Sequence, residues 1–370
     1  MSEDVHRVTK SNEEMKPSSA VASLHQLASL RLPSKMTQVT LSRVMRGLVP
    51  SETFTILWLD EHCNIRDIYC DHLCPRELCN HFTTHYFNTR EEEAYEPHRE
   101  FMRGVSRLDL LHARKDFQKT GLYQEFNRPM GFGPVVRLAV RRCGRPVAAV
   151  WMTRWIGDKD FSRPELARLQ DAVPYMEHVL VGGLKRGECD AWSGESGWLV
   201  ADTDGTVRHF TPGTERLLHL AADVPRSRAV LSAPCYEWAK PLLRRLATRV
   251  TALEAGRASG VPSQSMSNDS GQYELRAHRL QAGVGGASNL VGVQILRRVP
   301  LVLRALESPL AQTLPLREKQ ACLMLIQGLT VKAIASRMGI SSNGVVQHVR
   351  SLYRRLQLHC REDLIRAMTS

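Results

Sequence analysis

Apolar positions along the chain recur with two periods, and these divide it into segments. Behind a polar arm at 1–20, residues 21–48 carry Leu24, Leu27, Leu30 and Val44 among polar neighbours, which predicts helix. Phe54, Ile56 and Trp58 then alternate with their neighbours in a strand-like run that ends at Asp60, and 65–69 reads as the returning strand. Residues 76–116 are charged and aromatic and read as helices and loops; Glu91-Glu92-Glu93 within them is a solvated charge run. Runs at 135–141 and 147–154 flank Arg142-Cys143-Gly144-Arg145-Pro146, a hairpin signal. Ser162 with Glu165 three residues on predicts a capping box, with Ser162 accepting from a free amide and Glu165 reaching back. The helix behind it carries Leu166, Leu169, Val173, Met176 and Leu180, must absorb a kink at Pro174, and ends near Gly182-Gly183.

A second unit starts at Ser196, where strand-like runs at 197–201 and 206–210 flank Asp202-Thr203-Asp204-Gly205, an Asp-Gly turn signal. A helix follows Thr211-Pro212, and 229–254 reads as another amphipathic helix. The Gly- and Ser-rich stretch 255–271 reads as a loop, and 273–280 and 290–299 as closing strands. Residues 300–313 read as a link to a last module of helices.

In that module an apolar-striped helix at 317–327 stops at Gly328. Thr330 caps a short helix at 331–338, Gly339 turns the chain, and Ser341 or Ser342 caps a helix running to about Leu356. Val345, Val349, Leu352 and Leu356 fall on one buried face of that helix. Val346, Gln347, Arg350 and Arg354 lie away from it. An amide beside two guanidinium groups is equipment for base edges and phosphates, on a rod that fits a major groove. His348 reads as partly buried packing.

Charge sharpens this picture. The net charge is +12, and residues 314–370, with nine basic and three acidic side chains, supply half of it. Basic charge concentrated on a small module favours a phosphate backbone as partner. No apolar run reaches the ~20 residues of a membrane span, and the polar N-terminus lacks the apolar core of a signal peptide, so the expectation is a cytoplasmic protein with no membrane partner. Nine scattered cysteines suit reduced thiols. The densest thiol and imidazole group is Cys63, Cys70, Cys74 and Cys79 with His62, His72 and His81. Its spacings match no common zinc site, and neither a metal nor another cofactor is expected. No nucleophile–base pair, nucleotide loop or carboxylate pair stands out, so the expectation is not an enzyme. Trp151, Met152 and Trp155 are candidates to line a pocket, with core packing as the alternative.

Several motifs in order carry a family resemblance: Leu314-Pro315-Leu316-Arg317-Glu318, Gln327-Gly328-Leu329-Thr330, Lys332 through Ser341, Val345-Val346-Gln347-His348-Val349, and Arg355-Leu356. Together they resemble the LuxR (GerE) helix-turn-helix domain over 314–368. The resemblance implies double-stranded promoter DNA as partner. It puts Val346, Gln347 and Arg350 toward bases, with Lys332, Ser341, Arg354 and Arg361 at phosphates; Ser342 and Asn343, at the start of the same helix, join the candidate DNA-binding set. It also implies a final helix, with Leu364, Ile365 and Met368, of the kind that often dimerises. Two departures stand out: Gly344 replaces a usual Thr, and Val346 a frequently basic or polar residue. Neither a phospho-acceptor receiver nor an acyl-homoserine lactone sensor matches, since Asp60-Glu61 and Trp58 supply only fragments of those patterns.

The expected fold class is multidomain α+β: two N-terminal units that resemble GAF or PAS sensor domains, then an all-α four-helix helix-turn-helix domain. The expected division is 1–44 arm and helix, 45–186 first sensor-like domain, 192–300 PAS-like domain, 301–313 linker and 314–370 DNA-binding domain. The expected activity is DNA-binding transcription regulation as a homodimer, under a small-molecule or protein signal at the N-terminal domains. A protein-interaction scaffold tethered to DNA by the same module stays open.

Overall fold

The computed structural model describes residues 17–72, 74–88, 108–110, 116–181, 191–227, 230–231, 234–257, 262–281 and 289–369. The first 16 residues of the expected arm, Glu91-Glu92-Glu93 and Gly182-Gly183 lie outside them.

Two helices open the chain, α1 (Pro17–Leu30) and α2 (Ser34–Leu48). The single helix expected over 21–48 is divided because Arg31 is left-handed (φ 50°) and Pro33 has no amide to continue the ladder. Helix also reaches back into the expected arm, where Ala20 is fully buried.

Strands β1 (Thr53–Leu59), β2 (Ile65–Cys70), β3 (Leu108–Leu110), β4 (Phe132–Arg142) and β5 (Arg145–Trp155) form an antiparallel sheet in the order β2-β1-β5-β4-β3. Cys143 and Gly144 both have positive φ, 50° and 79°, which closes the β4–β5 hairpin in two residues. Phe54, Ile56, Val136, Val150 and Met152 face α1, α2 and α4 (Arg163–Val181). The opposite face, with Leu57, Val135, Ala149 and Trp151, is covered by α3 (Arg76–His85) and Phe117 and Leu122. Trp151 and Met152 are successive strand residues on opposite faces, each packed in a core, so they line no common pocket. Helix α4 runs through Pro174. At its start Glu165 accepts both the N–H and the O–H of Ser162, each at 2.7 Å. The Ser162 hydroxyl is therefore a donor to Glu165 rather than the expected acceptor.

The second unit repeats the strand order. Strands β6 (Ala191–Asp202), β7 (Val207–Phe210), β8 (Ser263–Asn268), β9 (Gly271–Arg279) and β10 (Leu290–Val299) form an antiparallel sheet ordered β7-β6-β10-β9-β8. One face packs on α5 (Thr214–Ala222) and α6 (Lys240–Glu254). Strand β8 corrects the loop expected over 255–271: SQSMSN has no apolar alternation to announce a strand because it lies at the sheet edge.

The segment 301–313 is itself structured, as α7 (Leu301–Glu307) and α8 (Pro309–Thr313). Val302, Leu303, Ala305, Leu306 and Ala311 are buried in the same core as α1, α2 and α4. That core continues into the C-terminal helices, so first sheet, N-terminal helices and C-terminal module share one apolar interior.

Candidate nucleic-acid interface

The C-terminal module comprises α9 (Leu316–Ile326), α10 (Val331–Met338), α11 (Ser342–Leu356) and α12 (Arg361–Thr369). Each boundary has a local cause. Gly328 is left-handed (φ 82°) after α9, and Gly339 (φ 65°) closes α10, a conformation that strains any residue with a Cβ. Thr330 caps α10 by accepting the Ala333 amide at 3.3 Å, and Ser341 caps α11 by accepting the Gly344 amide at 3.1 Å. Of the two expected caps, Ser341 is the one used. A small core of Ala321, Ile334, Ala335, Met338 and Val345 fixes the angle between α10 and α11.

Glu318 fastens α11 from below. It is 6% exposed and accepts from Ser351 Oγ at 2.8 Å and Arg355 Nε at 3.0 Å. Its place in a motif was visible in the sequence; its role as a buried clamp was not, because its partners lie more than thirty residues away.

The candidate residues then fall into two groups. Lys332, Ser342, Asn343, Gln347, Arg350 and Arg354 are exposed, and Lys332, Arg350 and Arg354 have no ion pair among the described residues. Gln347, Arg350 and Arg354 occur at i, i+3 and i+7 of α11, one stripe of its outer surface. Ser341 to Asn343 sit at the amino end of α11, where free amides and the helix dipole favour an anion. The other group is engaged within the protein. Val346 is half-buried, the Ser341 hydroxyl oxygen holds the cap, and Arg361 Nη2 donates to the Ile326 carbonyl at 3.3 Å, at the end of α9. His348 is half-buried.

The inner side of the module faces the N-terminal helices. Lys319 on α9 is 1% exposed and donates to Ser23 Oγ of α1 at 2.8 Å and to Gln312 Oε1 at 3.2 Å. Burial lowers its ammonium to about 8. On α12, Leu364 and Met368 are fully buried in the core that contains α7. The face that resemblance assigns to dimer contacts is therefore occupied within the chain.

The thiol and imidazole residues do not converge on one centre, although the Cys74 and Cys79 thiols interact with each other. Cys70 accepts from Thr55 Oγ1 at 3.2 Å, His72 packs edge-on to Trp155, and His81 Nε2 lies 2.7 Å from Glu125 Oε2. Cys79 Sγ lies 3.7 Å from the Cys74 carbonyl. Among the described residues, no group of three or more His, Cys, Asp or Glu is placed to hold a metal ion, and no helix is long and apolar enough to cross a membrane.

Residues 312–368 match the family of bacterial regulatory proteins of the luxR type, GerE. No curated protein matches the chain in sequence. Among solved structures, a GAF domain/HD domain protein from Geobacter sulfurreducens is 19% identical, over 40% of this chain and 93% of that one, with a TM-score of 0.31. The sensor region of a sensor histidine kinase is 13% identical, over 76% of this chain and 92% of that one, with a TM-score of 0.21. Likenesses this distant carry no functional argument.

Proposed function

Taking as premise that residues 312–368 are a LuxR-family helix-turn-helix domain, we propose that the chain is a cytoplasmic transcription regulator that couples a signal at its N-terminal units to promoter binding. In this reading α11 enters the major groove. Gln347 and Arg350 meet base edges, and Lys332, Arg354 and the amino end of α11 meet phosphates. The observation that carries it is the outer stripe of α11: Gln347, Arg350 and Arg354 stand exposed along one line of the helix, the two arginines without an ion pair among the described residues, whereas Arg355 is bonded to Glu318 and Arg361 to a carbonyl.

The division proposed is 45–186 and 192–300 as two signal-input units, 301–313 as connection and 314–370 as the DNA-binding domain. Support for coupling comes from the shared core, which joins the first sheet to α9 and α12 through α1, α2 and α7. A homodimer reading two half-sites one helical turn apart completes the proposal. If α12 supplies the dimer contact, it must first leave α7, because Leu364 and Met368 are buried there.

The test is the affinity of the full chain for duplex DNA as salt is varied. Log affinity falls linearly with log salt, and Arg354→Ala reduces the slope by about 1. An affinity indifferent to salt, or a slope unchanged by Arg354→Ala, contradicts the assigned phosphate contact.

A further inference from the structure

Two thiols meet at the start of α3. Cys74 directly precedes Pro75, and Cys79 lies near the first turn of the helix, where its amide donates to the Pro75 carbonyl at 2.9 Å. The turn brings the side chains together. Cys79 Sγ lies 3.7 Å from the Cys74 carbonyl, and the two sulfurs are in hydrogen-bonding contact. Cys74 Sγ also rests 3.8 Å from Met130 Sδ. Both cysteines are half-buried, so neither is sealed from small solutes. Contact between two sulfurs lets a disulfide close with little movement of the backbone.

The surroundings divide the roles. Cys74 donates its S–H to the Cys79 sulfur. That bond, and the charge of Arg226 from the second unit, hold the Cys79 thiol below its usual range, against desolvation and the carboxylates Glu215 and Glu77. The same bond, and then desolvation, push the Cys74 thiol up, so Cys74 keeps its proton where Cys79 gives one up. Arg226 is fixed at this seam by its amide, which donates to Asp67 Oδ1 of β2 at 2.8 Å. A thiolate near a cation and a helix amino end is the setting in which one cysteine reacts while others stay inert. Cys70, four residues before Cys74, differs: its sulfur accepts from Thr55 Oγ1 at 3.2 Å, and desolvation pushes it up to about 11.

We propose that Cys74 and Cys79 form a modification site for a hydroperoxide, which converts them to a reversible intramolecular disulfide. The Cys79 thiolate attacks one oxygen of the hydroperoxide. The O–O bond breaks, Cys79 becomes a sulfenic acid, and the other oxygen leaves as water or an alcohol with the proton that Cys79 released. The Cys74 sulfur then gives up its proton and attacks the Cys79 sulfur. The S–S bond forms as the S–O bond breaks, and hydroxide leaves with that proton as water. The two thiols lose two electrons and the hydroperoxide gains them. Disulfides of cytosolic proteins are commonly of this transient, sensing kind. Closing the bridge removes a negative charge near Arg226, so the oxidation state reaches the second unit.

Peptide mapping of the full chain tests this without reference to DNA. The protein is treated at pH 7 with one equivalent of hydrogen peroxide, quenched with N-ethylmaleimide and cut with trypsin. Cleavage after Arg76 puts Cys70 and Cys74 on peptide 67–76 and Cys79 on peptide 77–90. A Cys74–Cys79 bridge therefore links two peptides, a Cys70–Cys74 bridge stays within one, and fragmentation tells Cys74 from Cys70. The linked pair is expected, reversed by dithiothreitol. It should form at least about tenfold faster than the exposed thiol Cys143 is consumed, although exposure alone would put Cys143 first. Cys74→Ser should leave a sulfenic acid on Cys79 that dimedone traps, and Cys79→Ser should leave Cys74 unmodified. The wild-type map decides the matter if either variant fails to fold. Oxidation of Cys143 ahead of the pair overturns the proposal, as does the absence of a linked pair, a bridge that uses Cys70, or dimedone labelling of Cys74 in place of Cys79.

Discussion

Arg297 is the side chain through which the second sheet grips the N-terminal helices, and replacing it by Met is the most demanding perturbation of the fold. It is 2% exposed on β10. Its Nη1 pairs with Glu195 Oε2, its Nε and Nη2 donate to the Ser270 carbonyl at 3.0 and 2.6 Å, and Nη2 also donates to the Met36 carbonyl of α2 at 3.1 Å. Arg297→Met fills a similar volume but leaves two carbonyls without these donors and Glu195 with Arg216 alone. Breaking a buried pair by removing one partner costs about 3–5 kcal/mol, a large part of the ~5–15 kcal/mol that holds a typical domain. Arg297→Lys keeps the charge but not the fork, so an intermediate loss is expected. Urea unfolding followed by tryptophan fluorescence reads the difference, provided the slope with denaturant is unchanged. The pH dependence gives an independent check. Burial opposes the charge of Glu195, but Arg297 and Arg216 beside it bring its carboxyl down from 4.5 to about 2. The ion pair's contribution is therefore complete above pH 4.5 and is lost as pH falls toward 2. The wild type should lose stability more steeply than Arg297→Met across that window. A loss under about 1 kcal/mol at pH 7, with parallel acid profiles, refutes the assigned role of the fork.

Three further outcomes are expected. Gly344→Ala should stabilise the module by roughly 0.4–1 kcal/mol, because an added Cβ meets Ser341 Oγ at 3.4 Å and Ile340 Cδ1 and Cβ at 3.6 and 3.8 Å, all ordinary contacts; a lowered melting temperature contradicts this. Thr330→Ala removes the α10 cap and should cost about 1 kcal/mol, read in the same melting experiment; no change means the Ala333 amide finds water instead. Lys319 is lowered from 10.5 to about 8 in the folded chain, so the unfolded chain binds more protons between those values. Stability should therefore rise from pH 8 to 10.5 in the wild type and less so in Lys319→Met, as urea midpoints at both ends will reveal.

What the sequence discloses and what it conceals follow from how far apart the cooperating residues lie. The helix-turn-helix is legible because its caps, Thr330 and Ser341, and its turn residues, Gly328 and Gly339, act within a few positions of themselves. The hairpin at Cys143-Gly144 is legible for the same reason. Strand β8 is concealed because an edge strand need not be apolar, and β3 because three residues carry no period. Segment 301–313 reads as a link until Leu303 and Leu306 are found buried against helices nearly three hundred residues earlier. Among the candidate DNA contacts, the sequence offers Arg354 and Arg361 as alike. Only the fold separates Arg354, which makes no ion pair or side-chain hydrogen bond among the described residues, from Arg361, which donates to the Ile326 carbonyl. Lys319, one of nine basic residues in the module, proves to be buried against Ser23.

The most direct test of the DNA-binding reading is a footprint of the full chain on a duplex that the wild type itself has selected from random sequence. The wild type should protect a discrete site. The double variant Gln347→Ala/Arg350→Ala should lose about tenfold or more in preference for that site over unrelated DNA, while keeping its salt-dependent binding to both. An unchanged footprint and unchanged preference in the double variant would contradict the assignment of the α11 stripe as the surface that reads DNA.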